Sequence, residues 1–233
     1  MFTKLVYSKQ MDQAELFPEI FPDNFPENSA EGLFEVSVDA YYTVLYARMS
    51  ELPIQREISR YIEKVHKAAG SVDSKTAEAR IAADKAASDR GDPDVLTVLK
   101  ASYKVMHEIH RLTGLLRFTP NNKGMYIARC SPDHCILIAL ADHFFLRFGE
   151  TPWAIIDEKR KLCLCCEKGG EPKLVSLSAF LSFTAGEECP NDAWEELWRL
   201  YHRSVNNEAK KNLRLQRQFM PVRYQKDLPE SGA

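Results

Sequence analysis

Leu115-Leu116-Arg117-Phe118-Thr119-Pro120-Asn121-Asn122-Lys123-Gly124-Met125-Tyr126-Ile127-Ala128-Arg129-Cys130 is where the periodicity of the chain changes. Before it, apolar residues recur every three or four positions, the period of a helix face. After it they fall into short strand-like runs. The centre, Pro120-Asn121-Asn122-Lys123-Gly124, has the residue types that form turns, so Leu115–Thr119 and Met125–Cys130 are expected to flank a hairpin.

Upstream, 35–49 and 54–69 carry helical patterns separated by Pro53. Asp92-Pro93 opens a third helix with an N-cap aspartate and a first-turn proline. Val95, Leu99, Met106 and Ile109 are its expected apolar stripe, and Gly114 its expected end. Residues 74–91 are rich in alanine and charge, which predicts an exposed helical insertion with little to bury. Residues 1–28 read as an irregular arm, because Pro18, Pro22 and Pro26 each adjoin a phenylalanine (Phe17, Phe21, Phe25) and block regular structure. The phenylalanines either pin the arm to the domain or bind a partner; pinning is the preferred reading.

Downstream, Ser131-Pro132 precedes a helix that is apolar almost all round as far as Phe148. Strands are expected over 153–157, 162–167 and 173–177, and a last helix from about Asp192, where Asp192 and Glu195 suit a capping box. The fold class is α+β: a helical N-terminal half, then a small antiparallel sheet with packed helices in the C-terminal half. Residues 29–233 are expected to form a single domain; at 233 residues and 45% hydrophobic the chain has ample material for a core.

The formal charge of −2 conceals an uneven distribution. Residues 1–35 hold two lysines against seven acids, whereas 199–226 hold eight lysines and arginines against one acid, Glu208. On the last helix Trp194, Leu197, Trp198, Tyr201 and Val205 form one stripe, expected to face the core. Arg199, Arg203, Asn206 and Lys210 lie opposite. Lys211, Asn212, Arg214, Gln216, Arg217, Gln218, Arg223 and Tyr224 follow. Arginine and lysine suit phosphates, the amides suit phosphates or base edges, and Tyr224 suits stacking on a base. The alternative is a solvated helix face, but such faces mix both signs. The segment is therefore read as a nucleic-acid contact.

A set of ordered motifs spans the second half: His110-Arg111-x-x-Gly114-x-x-Arg117-Phe118; Tyr126-x-Ala128 with Pro132; His143-Phe144-x-x-Arg147-Phe148; and Trp153-x-Ile155-x-Asp157-x-x-Arg160. The set ends with Trp198-x-x-Tyr201-x-x-Ser204 and Asn212-x-Arg214-x-Gln216-x-Gln218-x-Met220-Pro221-x-Arg223-Tyr224. It resembles a bacterial family assigned to DNA metabolism and DNA repair, of unknown mechanism. Its members are encoded beside a radical-SAM protein, and a related domain is fused to some uracil-DNA glycosylase-like proteins. The resemblance covers about 54–230. It implies DNA as a partner, together with a radical-SAM or uracil-DNA glycosylase-like protein. The chain departs from the pattern in its proline-phenylalanine arm, in 74–90, at Asp142 and at Gln225.

Chemistry-bearing candidates are His110, His143 and Asp157 as acid–base groups, with Arg111, Arg117, Arg147 and Arg160 lining an anion pocket. His143 and Arg147 share one ridge of a helix with few polar positions, so both are expected buried or in a cleft, with Asp157 a possible partner for Arg147. An ion-pair network holding helix to sheet is the preferred reading and a phosphate or base pocket the alternative. Cys163-x-Cys165-Cys166 lacks the spacing of a zinc or iron–sulfur site, so no metal and no cofactor are expected. There is no Walker loop, dinucleotide fingerprint, zinc-deaminase signature or radical-SAM cysteine triplet in the sequence. No apolar run is long enough to span a membrane, and a cytoplasmic location is expected. The leading expectation is a DNA-binding protein of repair or metabolism that acts with a partner enzyme. The alternatives are a glycosylase- or nuclease-like enzyme acting directly on damaged DNA, and a non-catalytic module that docks an acidic protein.

Overall fold

The computed structural model describes residues 28–70, 76–184 and 193–225, apart from a few side chains near segment ends and that of Glu208. The arm over 1–27, the capping pair Asp192/Glu195, the side chains of Trp194 and Arg223, and Lys226 lie outside the described residues. The chain divides into two compact units, 1–107 and 108–233. Helices make up the first. The second contains the sheet and its own helices, the α+β arrangement expected of the sequence.

In the first unit, α1 (Asn28–Val36), α2 (Val38–Arg48), α3 (Gln55–Gly70) and α4 (Ala77–Ala87) pack with the start of α5 (Pro93–Leu115). α3 shows why. Ile58, Tyr61, Ile62, Val65 and Ala69 recur at three- and four-residue intervals and are all buried, while the other faces are charged. Ser37 separates α1 from α2: its hydroxyl accepts from the Ala40 amide and donates to Asp84 Oδ1 at 2.6 Å. Asp92 caps α5, accepting from the amides of Asp94 and Val95, and also pairs with Lys64 at 2.6 Å.

The expectation of an exposed helix over 74–91 is corrected. Ala79, Ala83 and Ala87 form a four-residue stripe on α4 and all three are buried. Small side chains let helix backbones approach closely, so this stripe buries a face that holds no large apolar residue. Ile81, the largest apolar residue of α4, points outward.

In the second unit the strands are β1 (Thr119–Pro120), β2 (Tyr126–Cys130), β3 (Trp153–Asp157), β4 (Leu162–Cys166) and β5 (Lys173–Ser176), paired in that order. The expected hairpin forms around Asn121, whose Oδ1 accepts from Lys123 and Met125 amides. Gly124 takes φ 77°, a conformation that favours glycine. The arm of the hairpin preceding the turn has only two strand residues, because α5 runs on to Leu115. Most pairings are antiparallel, but β2 and β3 run parallel, since α6 (Leu137–Phe148) connects them as a crossover. The sheet is mixed for that reason.

β3 is buried along its whole length. Ala154 and Ile156 pack with Ile127, Cys163 and Phe180 of α7 (Leu177–Thr184), while Trp153 meets Phe144 and Phe148 of α6. Both faces of the central strand are covered, so its sequence is continuously apolar from Trp153 to Ile156 rather than alternating. The last described elements are α8 (Ala193–Val205), a 3-10 turn (Glu208–Lys210), α9 (Leu213–Phe219) and the short α10 (Val222–Gln225).

Candidate functional site: a clamped loop and an exposed basic segment

Two features of the second unit carry polar chemistry. The first is the loop Ser131–Ile136 between β2 and α6. α5 places Glu108 on the stripe that also holds Val105 and Leu112, so its carboxylate is buried. Buried charge needs hydrogen-bond donors. Glu108 Oε1 accepts from the Asp133 amide at 2.8 Å and from the Tyr224 hydroxyl at 2.5 Å, and Oε2 accepts from the His134 amide at 2.9 Å.

From the other side, Arg160 Nη1 donates to the Pro132 carbonyl at 3.1 Å, and Nη2 donates to the Asp133 carbonyl at 2.8 Å. Arg160 Nη1 also pairs with Asp157 Oδ2 at 2.8 Å; the two side chains are 12% and 1% exposed. Asp157 Oδ1 accepts from the amides of Lys159 and Arg160. The Asp157-x-x-Arg160 motif thus closes its own turn and fixes a neighbouring loop. Donors and acceptors of the loop backbone are held by opposite charges on opposite sides, so its conformation is over-determined.

The candidate acid–base groups do not gather. Asp157 is committed to Arg160 rather than to Arg147. His143 and Arg147 are solvent-exposed, which corrects the expectation of burial: α6 also leaves Phe145 and Leu146 exposed, so the apolar composition of this helix does not bury every face. Desolvation, then the charge of Arg147, hold the His143 pKa below the usual histidine value. His110, a candidate acid–base group, is exposed because the buried arc of α5 runs through Val98, Val105, Glu108 and Leu112. Met106, assigned to the stripe, is likewise exposed. Arg111 is half-buried. Arg117 donates to the Gly114 and Leu115 carbonyls, where it satisfies the end of α5. No hydrogen bond or ion pair joins His110, His143 and Asp157 among the described residues.

The cysteine run divides as strand geometry requires. Cys163 and Cys165 belong to the face under α7. Interaction with the neighbouring Cys165 thiol, then burial, pushes the Cys163 thiol up, and the same interaction draws Cys165 down. Cys166 donates to the Gly170 carbonyl at 3.4 Å. Among the described residues, no group of three His, Cys, Asp or Glu is placed to hold a metal ion. Nor is any helix among them long and apolar enough to cross a membrane.

The second feature is the basic segment. Arg203, Lys210, Lys211, Arg214 and Arg217 are exposed, as are Gln216 and Gln218; Arg199 is half-buried. Asn212 caps α9 through Oδ1, which accepts from the Leu215 amide at 3.0 Å. Tyr224 lies apart from this surface. It is 2% exposed and its hydroxyl is spent on Glu108, so it cannot offer a face to a base. A second correction concerns α8. Its apolar stripe was expected to face the core, yet Leu197, Trp198, Tyr201 and Val205 are all exposed. The least exposed positions in the described part of α8 are Arg199 and His202.

The second unit is thus a mixed sheet with a clamped loop and a basic, partly aromatic C-terminal segment anchored by Tyr224. The chain belongs to the DUF4130 family, a domain of unknown function, whose match covers residues 57–230. No curated protein and no solved structure matches the chain.

Proposed function

We propose that the protein binds DNA through its C-terminal segment and serves DNA metabolism beside a partner enzyme. The observation that carries the reading is the exposure of Arg203, Lys210, Lys211, Arg214 and Arg217 in a stretch, 199–225, whose single acid is Glu208. Solvated protein faces mix both signs; a surface of one sign favours a polyanion. Exposed Gln216 and Gln218 add neutral donors suited to phosphates. The partner enzyme is a radical-SAM or uracil-DNA glycosylase-like protein, a proposal that rests on the family resemblance of the motifs. Direct catalysis by His110, His143 and Asp157 has less support, because Asp157 is buried against Arg160.

The test is a titration of fluorescein-labelled DNA across a salt series. If the five exposed cations each neutralise one phosphate, log K falls against log salt with a slope of about −4.5 on a duplex and about −3.5 on a single strand. Arg214→Glu with Arg217→Glu should flatten the slope and weaken binding. Absence of binding at low salt, or a slope that this double variant leaves unchanged, overturns the proposal.

A further inference from the structure

The C-terminal segment is aromatic as well as basic, and its rings face solvent. Trp198 is 41% exposed, Tyr201 56% and Phe219 67%. Trp198 and Tyr201 sit one turn apart on α8, with ring centroids 5.8 Å apart and planes inclined by 35°. Leu197 and Val205 lie on the same stripe of α8, and Leu200, Leu213 and Leu215 are also exposed in the segment. A contiguous exposed apolar stripe such as Leu197, Trp198, Tyr201 and Val205 on α8 favours a binding role. The cations Arg203, Lys210, Lys211, Arg214 and Arg217 are interspersed with it along the chain.

A DNA duplex does not use such rings well. Its bases are stacked on one another, and its outer surface is phosphate and sugar. An unpaired strand exposes the flat faces of its bases, and these stack on aromatic side chains while the backbone follows positive charge. Stacking needs no base-edge reading, so such a surface takes any sequence. An acidic protein also uses rings and cations together, and it is told apart by the absence of any strand preference.

We infer that the Trp198–Tyr201 pair, with Phe219 as a further exposed ring along the segment, stacks on bases and selects single-stranded over duplex DNA, with the arginines and lysines of the segment following the backbone. The inference rests on the DNA-binding reading above and names the form of DNA that the segment takes. It moves the stacking role from the buried Tyr224 to three exposed rings.

The experiment compares oligo-dT with a duplex of equal length, by fluorescence anisotropy on the full chain, for the native protein and for W198A, Y201A and F219A. The single strand should bind more tightly. Each alanine variant should lose at least about fivefold on the single strand, the lower end for loss of a base–aromatic stack, with little change on the duplex. Oligo-dT should also quench tryptophan fluorescence, and W198F should reduce the quenching. Because all three rings are exposed, circular dichroism of the variants should match the native protein. Equal affinity for both forms, unchanged by the three variants, overturns the inference while the DNA-binding reading stands. Failure of both forms to bind at low salt overturns both. Self-association dissolved by W198A, with no strand preference, overturns the inference in favour of a second copy of the chain.

Discussion

Replacing Tyr224 with phenylalanine separates two roles for the most specific motif in the chain. The ring and its packing stay; only the hydroxyl that donates to Glu108 Oε1 at 2.5 Å is lost. A hydrogen bond to a charged acceptor contributes about 1.5–3 kcal/mol. The geometry supports that range, since Glu108 is 2% exposed and no bulk water replaces the donor. For a chain of this length 1 kcal/mol corresponds to about 2–4 °C in Tm, so Tyr224→Phe should lower Tm by roughly 3–12 °C. Glu108→Gln should cost at least as much, because its new NH2 group replaces one carboxylate oxygen and so faces either the Asp133 or the His134 amide, each of which already points at the site as a donor. The losses should not add in the double variant, since both remove one interaction. The assay is urea unfolding followed by tryptophan fluorescence: all three tryptophans (Trp153, Trp194 and Trp198) belong to the second unit, so the signal reports that unit. DNA affinity of the folded Tyr224→Phe protein should be nearly unchanged. Additive losses, or normal stability with weakened DNA binding, would refute the anchoring role and place Tyr224 on the DNA surface.

Two further outcomes follow from buried groups. Arg160→Met leaves the Asp157 carboxylate buried without its cation and removes donors from the Pro132 and Asp133 carbonyls, so it should cost about 3–5 kcal/mol in the same urea assay. A loss below about 1 kcal/mol, the range of an exposed ion pair, would show that the clamp is not holding the loop. In the first unit, burial pushes the Tyr61 hydroxyl up to about 12, above its ordinary value of 10.0. Above pH 10 the unfolded chain loses this proton first, so stability should fall as pH rises from about 10 through 12. Tyr61→Phe should make that decline shallower, read by circular dichroism of the helices; an identical alkaline profile would count against it.

The fold class was readable because the period changes at one place. Helical spacing ends before Leu116, and Pro120–Gly124 can form little else than a tight turn. The mixed sheet was less legible, because a strand pattern carries no direction; the crossover through α6 decides that β2 and β3 run parallel. The alanine stripe of α4 escaped notice since alanine contributes little to apolar periodicity, yet it allows the closest helix approach. Glu108 had a usable signal. It stands three residues from Val105 and four from Leu112, and a carboxylate in register with a buried stripe must find donors. That signal was hidden because Met106 and Ile109 also fit a helical period, one position out of phase. His143 and Arg147 illustrate the opposite error. An apolar helix was taken to bury its few polar residues, although much of a protein's surface is apolar.

The basic segment divides by physical role rather than by sequence motif. Asn212 spends its side-chain oxygen on the cap of α9, and Tyr224 spends its hydroxyl on Glu108. Gln225 donates to the Met220 carbonyl at 3.1 Å and closes the intervening turn. None of these three is available to DNA through those atoms. Their effect is to order the chain on either side of Arg214, Gln216, Arg217 and Gln218, which remain exposed. Association loses free energy for every side chain and loop it must order, so contacts that fix the backbone beforehand raise affinity without touching the ligand. Weakening the Tyr224 anchor should therefore act on DNA binding only through the fraction of protein in which the segment is ordered, and not through a lost contact. The Glu108 carboxylate, silent as a site in its own right, becomes the point at which the basic segment is joined to the clamped loop.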